Sequence, residues 1–296
     1  MRVAVLADIH GNLPALEAVL ADADAQGAER FVVLGDLADR GPFPAEVLAL
    51  VRERASAVVR GNTDAQLVAY QRGDAPAAWY QAAQFAPVRW TCARLSRADS
   101  DFLAGLPFDY VLAAGGLPPV RFVHASPRSV SEPTYPDRTL RAEDVLALIP
   151  EMVLGTGHIH VPWVARSAAG LAFNPGAVGQ PFNGDPRAQF ALLIGEGGAW
   201  RVEHRALDYD RASLCEAFHE RGLLAQDGAF ARAAMASMMT GRDEIRPFLK
   251  HAAGLAGDER DWHDGLLPDP IWQRAAETYD WETAERGSEC IPSSSR

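Results

Sequence analysis

Cysteine is scarce: the 296 residues hold three, Cys92, Cys215 and Cys290, far apart and without a CxxC spacing. An odd, sparse set argues against a disulfide framework and fits a reducing compartment. Positive charge is also short, with 28 Lys and Arg against 39 Asp and Glu and a net charge of -11. That balance argues against nonspecific attraction to nucleic acid or to an anionic membrane. It leaves a phosphorylated substrate open, because bound metal ions reverse the field inside a cleft. No stretch approaches the ~18 apolar residues of a membrane span. The opening MRVAVLADIHG has an apolar run, but Asp8 ends it and no small-residue cleavage site follows, so it reads as a first strand and not a signal peptide. The expectation is a soluble, cytoplasmic protein with no membrane partner and no stable nucleic-acid binding.

Apolar content is ample, at 48% of the chain, enough for one large α/β domain or one domain with a smaller extension. Val3–Leu6 reads as a strand, and Pro14 opens a helix with Ala15, Leu16, Val19 and Leu20 on one face. Phe31–Leu34 is a second strand, Pro44 opens a helix striped by Val47, Leu48, Leu50 and Val51, and Val58-Val59 is a third strand. This β-α-β-α-β rhythm with unbroken apolar strands calls for a parallel sheet covered on both faces. Residues 65–106 read as helical with a break at Pro76 and a capping box at Ser96–Asp99. Strands resume at 120–123, 152–154, 171–173, 190–194 and 200–203, the last two joined as a hairpin through Gly195-Glu196-Gly197-Gly198. No internal repeat is evident. Beyond residue 206 the pattern turns to helices rich in Ala, Arg and Glu, with a disordered tail expected at Ser293–Arg296.

The chemistry sits at the strand exits. The first delivers Asp8-Ile9-His10-Gly11, the second Gly35-Asp36-Leu37-Ala38-Asp39-Arg40-Gly41, the third Gly61-Asn62, and later ones His124 and Gly157-His158-Ile159-His160. Ligands of open α/β sheets bind beyond the carboxyl ends of the strands, so these side chains should converge. Taken singly, each has a plainer reading: a solvated Asp-x-His loop, a polar turn at Asp36, a core histidine at 124, a turn asparagine at 62. Taken together they form an O and N donor set without thiolate, suited to Mn, Fe, Zn, Co or Ni. Seven ligands are too many for one ion and enough for two ions ~3.5–4 Å apart that share a carboxylate.

The ordered blocks DIH, GDLADRG, GN, H and GHIH over residues 3–205 resemble the calcineurin-like metallophosphoesterase superfamily. The stretches NLPALEAVL, WTCARLSRADSDFLAGLP, VHASPR and NPGAVGQPFNGDPRAQFALL look like a bacterial and archaeal branch of it, related to diadenosine tetraphosphatases and serine/threonine protein phosphatases. The resemblance implies a four-layer αββα sandwich with mixed sheets over residues 1–205, followed here by a helical extension, 206–296. It implies one metal on Asp8, His10 and His160, a second on Asn62, His124 and His158, and Asp36 bridging. Gly61 would let the backbone turn sharply beneath Asn62. Many relatives have GNH where this chain has Gly61-Asn62-Thr63-Asp64, so the histidine proposed there to stabilise the transition state or protonate the leaving oxygen is replaced by Thr63. Asp64 is then a helix cap unless it turns inward. The DRG of Asp39-Arg40-Gly41 resembles phosphoprotein phosphatases, whose arginine holds the phosphoryl group; the plainer reading is a surface ion pair with Asp39. Arg60 is a weaker second candidate and Arg128 reads as structural.

The expected activity is phosphate-ester hydrolysis, phosphatase or phosphodiesterase, by a hydroxide bridging two divalent ions, with Mn foremost and Asp36, Arg40 and Asn62 catalytic. Arg40 and Asn62 would bind the substrate: a small phosphorylated molecule, a nucleotide or a phosphoprotein. The alternative is a non-catalytic metal-binding scaffold of the same fold, against which all seven ligands weigh. Residues 206–296 carry no readable motif; they could cap the cleft and restrict substrate size.

Overall fold

The computed structural model of the chain describes residues 1–137, 141–257, 266–288 and 290. The tail expected to be disordered lies outside them. The first half lays down β1 (Arg2–Leu6), α1 (Leu13–Ala25), β2 (Arg30–Val33), α2 (Pro44–Arg54), β3 (Ala57–Val58) and α3 (Asn62–Arg72). Short helices α4 (Ala86–Cys92) and α5 (Arg97–Gly105) lead to β4 (Asp109–Leu112), β5 (Val120–Val123), α6 (Ala142–Leu146), β6 (Val153–Gly155), β7 (Trp163–Ser167) and β8 (Gly170–Asn174). The hairpin β9 (Ala188–Glu196) and β10 (Ala199–Leu207) closes the sandwich. Helices α7 (Arg211–Glu220), α8 (Leu223–Thr240), α9 (Ile245–Ala256), α10 (Asp269–Thr278) and α11 (Trp281–Ala284) follow.

The strands form two five-stranded mixed sheets, β10-β9-β1-β2-β3 and β4-β5-β6-β8-β7. β1, β2 and β3 pair in parallel, as do β5, β6 and β8. Alternation along a strand sends neighbouring side chains to opposite layers. Ala4 and Leu6 of β1 join the core under α1 and α2, whereas Val3 and Val5 join the core between the sheets. Phe122 and Phe173 meet Val3 and Val5 from the second sheet, and Val123, Leu154 and Ala172 face α6 on the far side. The result is the expected αββα sandwich.

Two strands escaped the sequence pattern, β4 and β7. Both are edges of the second sheet, with Val111 and Val164 left exposed, so neither carries the continuous apolar run of a doubly covered strand. The cysteine reading needs correcting too. Cys215 on α7 and Cys290 are disulfide-bonded across 75 residues, with Cα atoms 5.7 Å apart; Cys92 is free and buried. The C-terminal helices pack on the sandwich through Trp90 of α4, which shares a core with Leu214, Phe218 and Met238. Among the described residues, no helix is long and apolar enough to cross a membrane.

Candidate metal centre and cleft

The ladder of β1 and β2 continues past the strands into the loops that carry the ligands. Asp8 N–H donates to Gly35 C=O at 3.1 Å and His10 N–H to Asp36 C=O at 3.0 Å. Across the sandwich, Gly157 N–H donates to His124 C=O at 2.7 Å, and His158 N–H to Asp8 Oδ2 at 3.0 Å. Exits from both sheets are thereby stitched together, and all seven expected ligands converge. Ligand atoms of Asp8, His10, Asp36 and His160 lie within 4.8 Å of one another. His124 Nε2 is 3.0 Å and His158 Nδ1 2.9 Å from Asn62 Oδ1. Between these groups stands Asp36: Oδ2 is 3.6 Å from His10 Nε2 and Oδ1 3.5 Å from His124 Nε2.

Tautomers follow from the partners. His160 Nδ1 meets Gln180 C=O and His124 Nδ1 meets Leu34 C=O, each at 2.5 Å. A carbonyl only accepts, so both Nδ1 atoms carry hydrogen and both Nε2 lone pairs point inward. His160 Nε2 then faces Asp8 Oδ1 at 3.4 Å, and that buried oxygen has no hydrogen-bond donor. Acceptors aimed at acceptors in a buried site want a cation between them, and this oxygen and nitrogen set suits a divalent transition ion.

Titration behaviour agrees. Burial, then the Arg40 charge, pushes His10 well below the usual histidine range. Burial, then His124, takes His158 down to about 4. For Asp8, burial pulls upward, but His160, His124 and His158 outweigh it and hold the carboxyl below its usual value. His124 is raised, because Asp36 and Asp8 overcome its burial. His124 therefore takes up a proton more readily than an ordinary histidine, and an ion at its Nε2 would compete with that proton.

Gly61 has a different reason from the one expected. Its φ of -87° and ψ of 173° are ordinary extended backbone, so no sharp turn demands glycine. A Cβ there would stand 2.1 Å from Asp36 Oδ1; the glycine makes room for the carboxylate. Asp64 is fully buried and caps α3 through Gly61 N–H at 2.8 Å. It also accepts from Asp36 N–H at 2.9 Å and Leu37 N–H at 3.0 Å, which fixes the Asp36 loop. Burial, then the neighbouring Asp36 charge, raises its carboxyl to about 6. With those bonds it does not turn into the cleft. Thr63 is buried too, and its N–H donates to Asp36 Oδ1 at 2.9 Å.

Arg40 is no surface ion pair. It lines a cleft of about 230 Å³ together with Asp36, Asn62, His158 and His160, and its Nη1 donates to Gln180 Oε1 at 2.8 Å. Asp39 is buried and accepts from Thr91 Oγ1 instead. Arg60 is not among the cleft-lining residues, and Arg128 pairs with Glu132 in solvent. Sequence reasoning missed Gln180, although a long amide side chain amid the small and apolar residues 175–182 was a signal. It also missed Phe182, stacked on His160 at 4.3 Å, and the cleft wall built by Phe230 of α8 with Ile245 and Leu249 of α9.

The comparisons with known proteins bear on this same part of the chain. Residues 1–196 match the profile of the calcineurin-like phosphoesterase superfamily domain. An uncharacterized protein of Methanocaldococcus jannaschii is 28% identical over 225 residues, 70% of this chain and 88% of that protein. Phosphodiesterase YfcE of Escherichia coli is 39% identical over 77 residues, 23% of this chain and 42% of that protein. The crystal structure of a metallophosphoesterase from Sphaerobacter thermophilus matches with a TM-score of 0.61 at 29% identity, covering 77% of this chain and 98% of that one. The matched segment contains both sheets down to Glu196 and all seven converging side chains, and the chain belongs to the calcineurin-like phosphoesterase superfamily.

Proposed function

We propose that the protein hydrolyses phosphate esters with two divalent ions, Mn²⁺ foremost, in a catalytic domain of residues 1–205. Asp8, His10 and His160 would hold one ion, Asn62, His124 and His158 the other, and Asp36 both. The observation that carries this reading is the Asp36 carboxylate, whose two oxygens face the two groups separately at 3.6 and 3.5 Å. When bound, such ions supply a water acidic enough to attack phosphorus near neutral pH and neutralise charge on the phosphoryl group.

The chain's own residues do the rest. Arg40, steadied by Gln180 at 2.8 Å, offers a guanidinium fork to the phosphoryl oxygens from the cleft wall. Asn62 lines the same wall and can donate its amide hydrogens there while its oxygen faces the histidines. Neither Thr63 nor Asp64 is among the cleft-lining residues, so the GNTD segment has no acid to protonate a leaving oxygen. General acid catalysis contributes ~10²–10⁴-fold, so esters with good leaving groups should be strongly favoured. Thr63 favours diesters, as does the name of the matched phosphodiesterase; Arg40 favours monoesters.

The test is hydrolysis of p-nitrophenyl phosphate and bis-p-nitrophenyl phosphate by metal-stripped protein restored with Mn²⁺. Activity should need the metal and vanish in Asp36→Asn. A purified Asp36→Asn protein keeping more than about a tenth of the rate would sink the assignment of a shared carboxylate.

A further inference from the structure

The cleft has two unlike walls. One is the candidate metal cluster with Arg40; the other belongs to the C-terminal helices and is built from the apolar Phe230 of α8 and Ile245 and Leu249 of α9 together with the charged pair Asp243 and Arg246, while Phe182 stacks on His160 beside the cluster. We propose that this second wall is a leaving-group subsite, and that it selects small phosphate esters whose leaving group is an apolar ring. The inference rests on the phosphoester reading above and specifies its substrate class.

The wall is fixed against the site. Gly184 N–H donates to Gly241 C=O at 2.8 Å, and a Cβ on Gly241 would stand 2.5 Å from Asp185 backbone, so the end of α8 is pressed onto the loop that carries Phe182. Gln180 Nε2 donates to Ala234 C=O at 3.3 Å, tying α8 to the residue that holds Arg40. Behind α9, Phe248 packs among Trp272, Tyr279 and Trp281 with ring centroids 5.1–5.4 Å away.

Leu249 is the telling residue. Ile245, Phe248, Ala252 and Ala256 form the buried stripe of α9, and Leu249, one turn on from Ile245, lies at the edge of that stripe, 37% exposed and lining the cleft. A leucine left in water beside a polar metal site offers apolar area to whatever enters. The two charged residues of this wall do not make it a second anion site, because Arg246 Nε is paired with Asp243 at 3.0 Å. The space is modest: about 230 Å³ is below the range of ~300–1,000 Å³ usual for drug-sized ligands. It suits a phosphoryl group and one ring rather than a phosphorylated segment of a folded protein.

The test uses non-hydrolysable probes. Calorimetry on Mn²⁺-loaded protein would compare phenylphosphonate with methylphosphonate, which share the phosphoryl end and differ in the ring. Wild type should prefer the phenyl probe about tenfold. Leu249→Ala, a change at an exposed site, should cut that ratio to about threefold, and Phe230→Leu should do likewise. Equal affinity of wild type for the two probes, or an unchanged ratio in both variants, overturns the subsite. Ring preference in a protein that hydrolyses neither nitrophenyl ester would keep the subsite and overturn the phosphoesterase reading. Hydrolysis without ring preference would do the reverse.

Discussion

Gln180 acts twice in the site through different atoms, and Gln180→Leu separates the two roles. The main-chain oxygen holds His160 Nδ1 at 2.5 Å, whatever the side chain. The side chain accepts from Arg40 Nη1 at 2.8 Å and donates to Ala234 C=O at 3.3 Å. Leucine fills nearly the same volume at this fully buried position and removes only the second set. A hydrogen bond to a charged partner is worth about 1.5–3 kcal/mol; Arg40 is half-buried and can recover some hydration, so about 1.5 kcal/mol of stability should be lost. Arg40 Nε is already buried without a partner, so the side chain would lose its one fixed anchor. Ordering it again on substrate costs about 0.5–1.5 kcal/mol, which is about a twofold to twelvefold rise in KM. Mn²⁺ affinity should not change. Urea denaturation, nitrophenyl-ester kinetics and Mn²⁺ calorimetry read the three quantities. A fall in Mn²⁺ affinity parallel to the rise in KM would refute the separation of roles. An unchanged KM would remove Arg40 from the substrate.

Other consequences follow from the same geometry. Asp64→Ala strips the acceptor from the buried N–H groups of Asp36, Leu37 and Gly61 and should cost about 3 kcal/mol or more in chelator-treated protein. Asp64→Asn can keep the two bonds to Oδ2 while removing a charge beside Asp36, so its denaturation midpoint should fall far less than that of the alanine variant. His124 is raised above its usual 6.5, so as pH falls toward that value a proton on it competes with an arriving ion. Mn²⁺ affinity should therefore rise with pH through that value and beyond. Calorimetry in buffers of different ionisation enthalpy should show proton release on Mn²⁺ binding that grows as pH is lowered toward 6.5, and His124→Asn should reduce it.

The converging Asp, Asn and His residues were readable because each stands just after an apolar strand, and a parallel α/β sheet sends all such exits to one edge. The extension was not. The spacing of Ile245, Phe248, Ala252 and Ala256 says that α9 buries one face, but nothing local says that Leu249 at the edge of that face meets the Asp and His cluster of residues 8–160. The Cys215–Cys290 bond spans 75 residues with no spacing rule to announce it. Gly61 looked like a turn residue, and only the position of Asp36 reveals why it lacks a side chain.

One property of the site leaves a trace in the backbone that the sequence pattern hides. The non-glycine residues with positive φ among those described are Asp8, His10, Asp36, Arg40, His158 and His160, all of them candidate site residues. Aspartate and histidine tolerate this region better than most residues, but arginine has no local hydrogen bond of its own to ease it. Strain held at a site is maintained by surrounding structure and reflects where the side chain must point. Arg40, at φ 79°, allows that strain to be measured apart from its function. Arg40→Ala and Arg40→Gly both lose the guanidinium and the bond to Gln180, and differ by one Cβ. Glycine occupies positive φ freely, so the glycine variant should be the more stable by about 1 kcal/mol, despite the greater freedom glycine gives the unfolded chain. Both should show the same rise in KM for the nitrophenyl esters. If the alanine variant unfolds at the same urea concentration as the glycine variant, Arg40 carries no backbone strain, and the coincidence of positive φ with the site must come from the ligands alone.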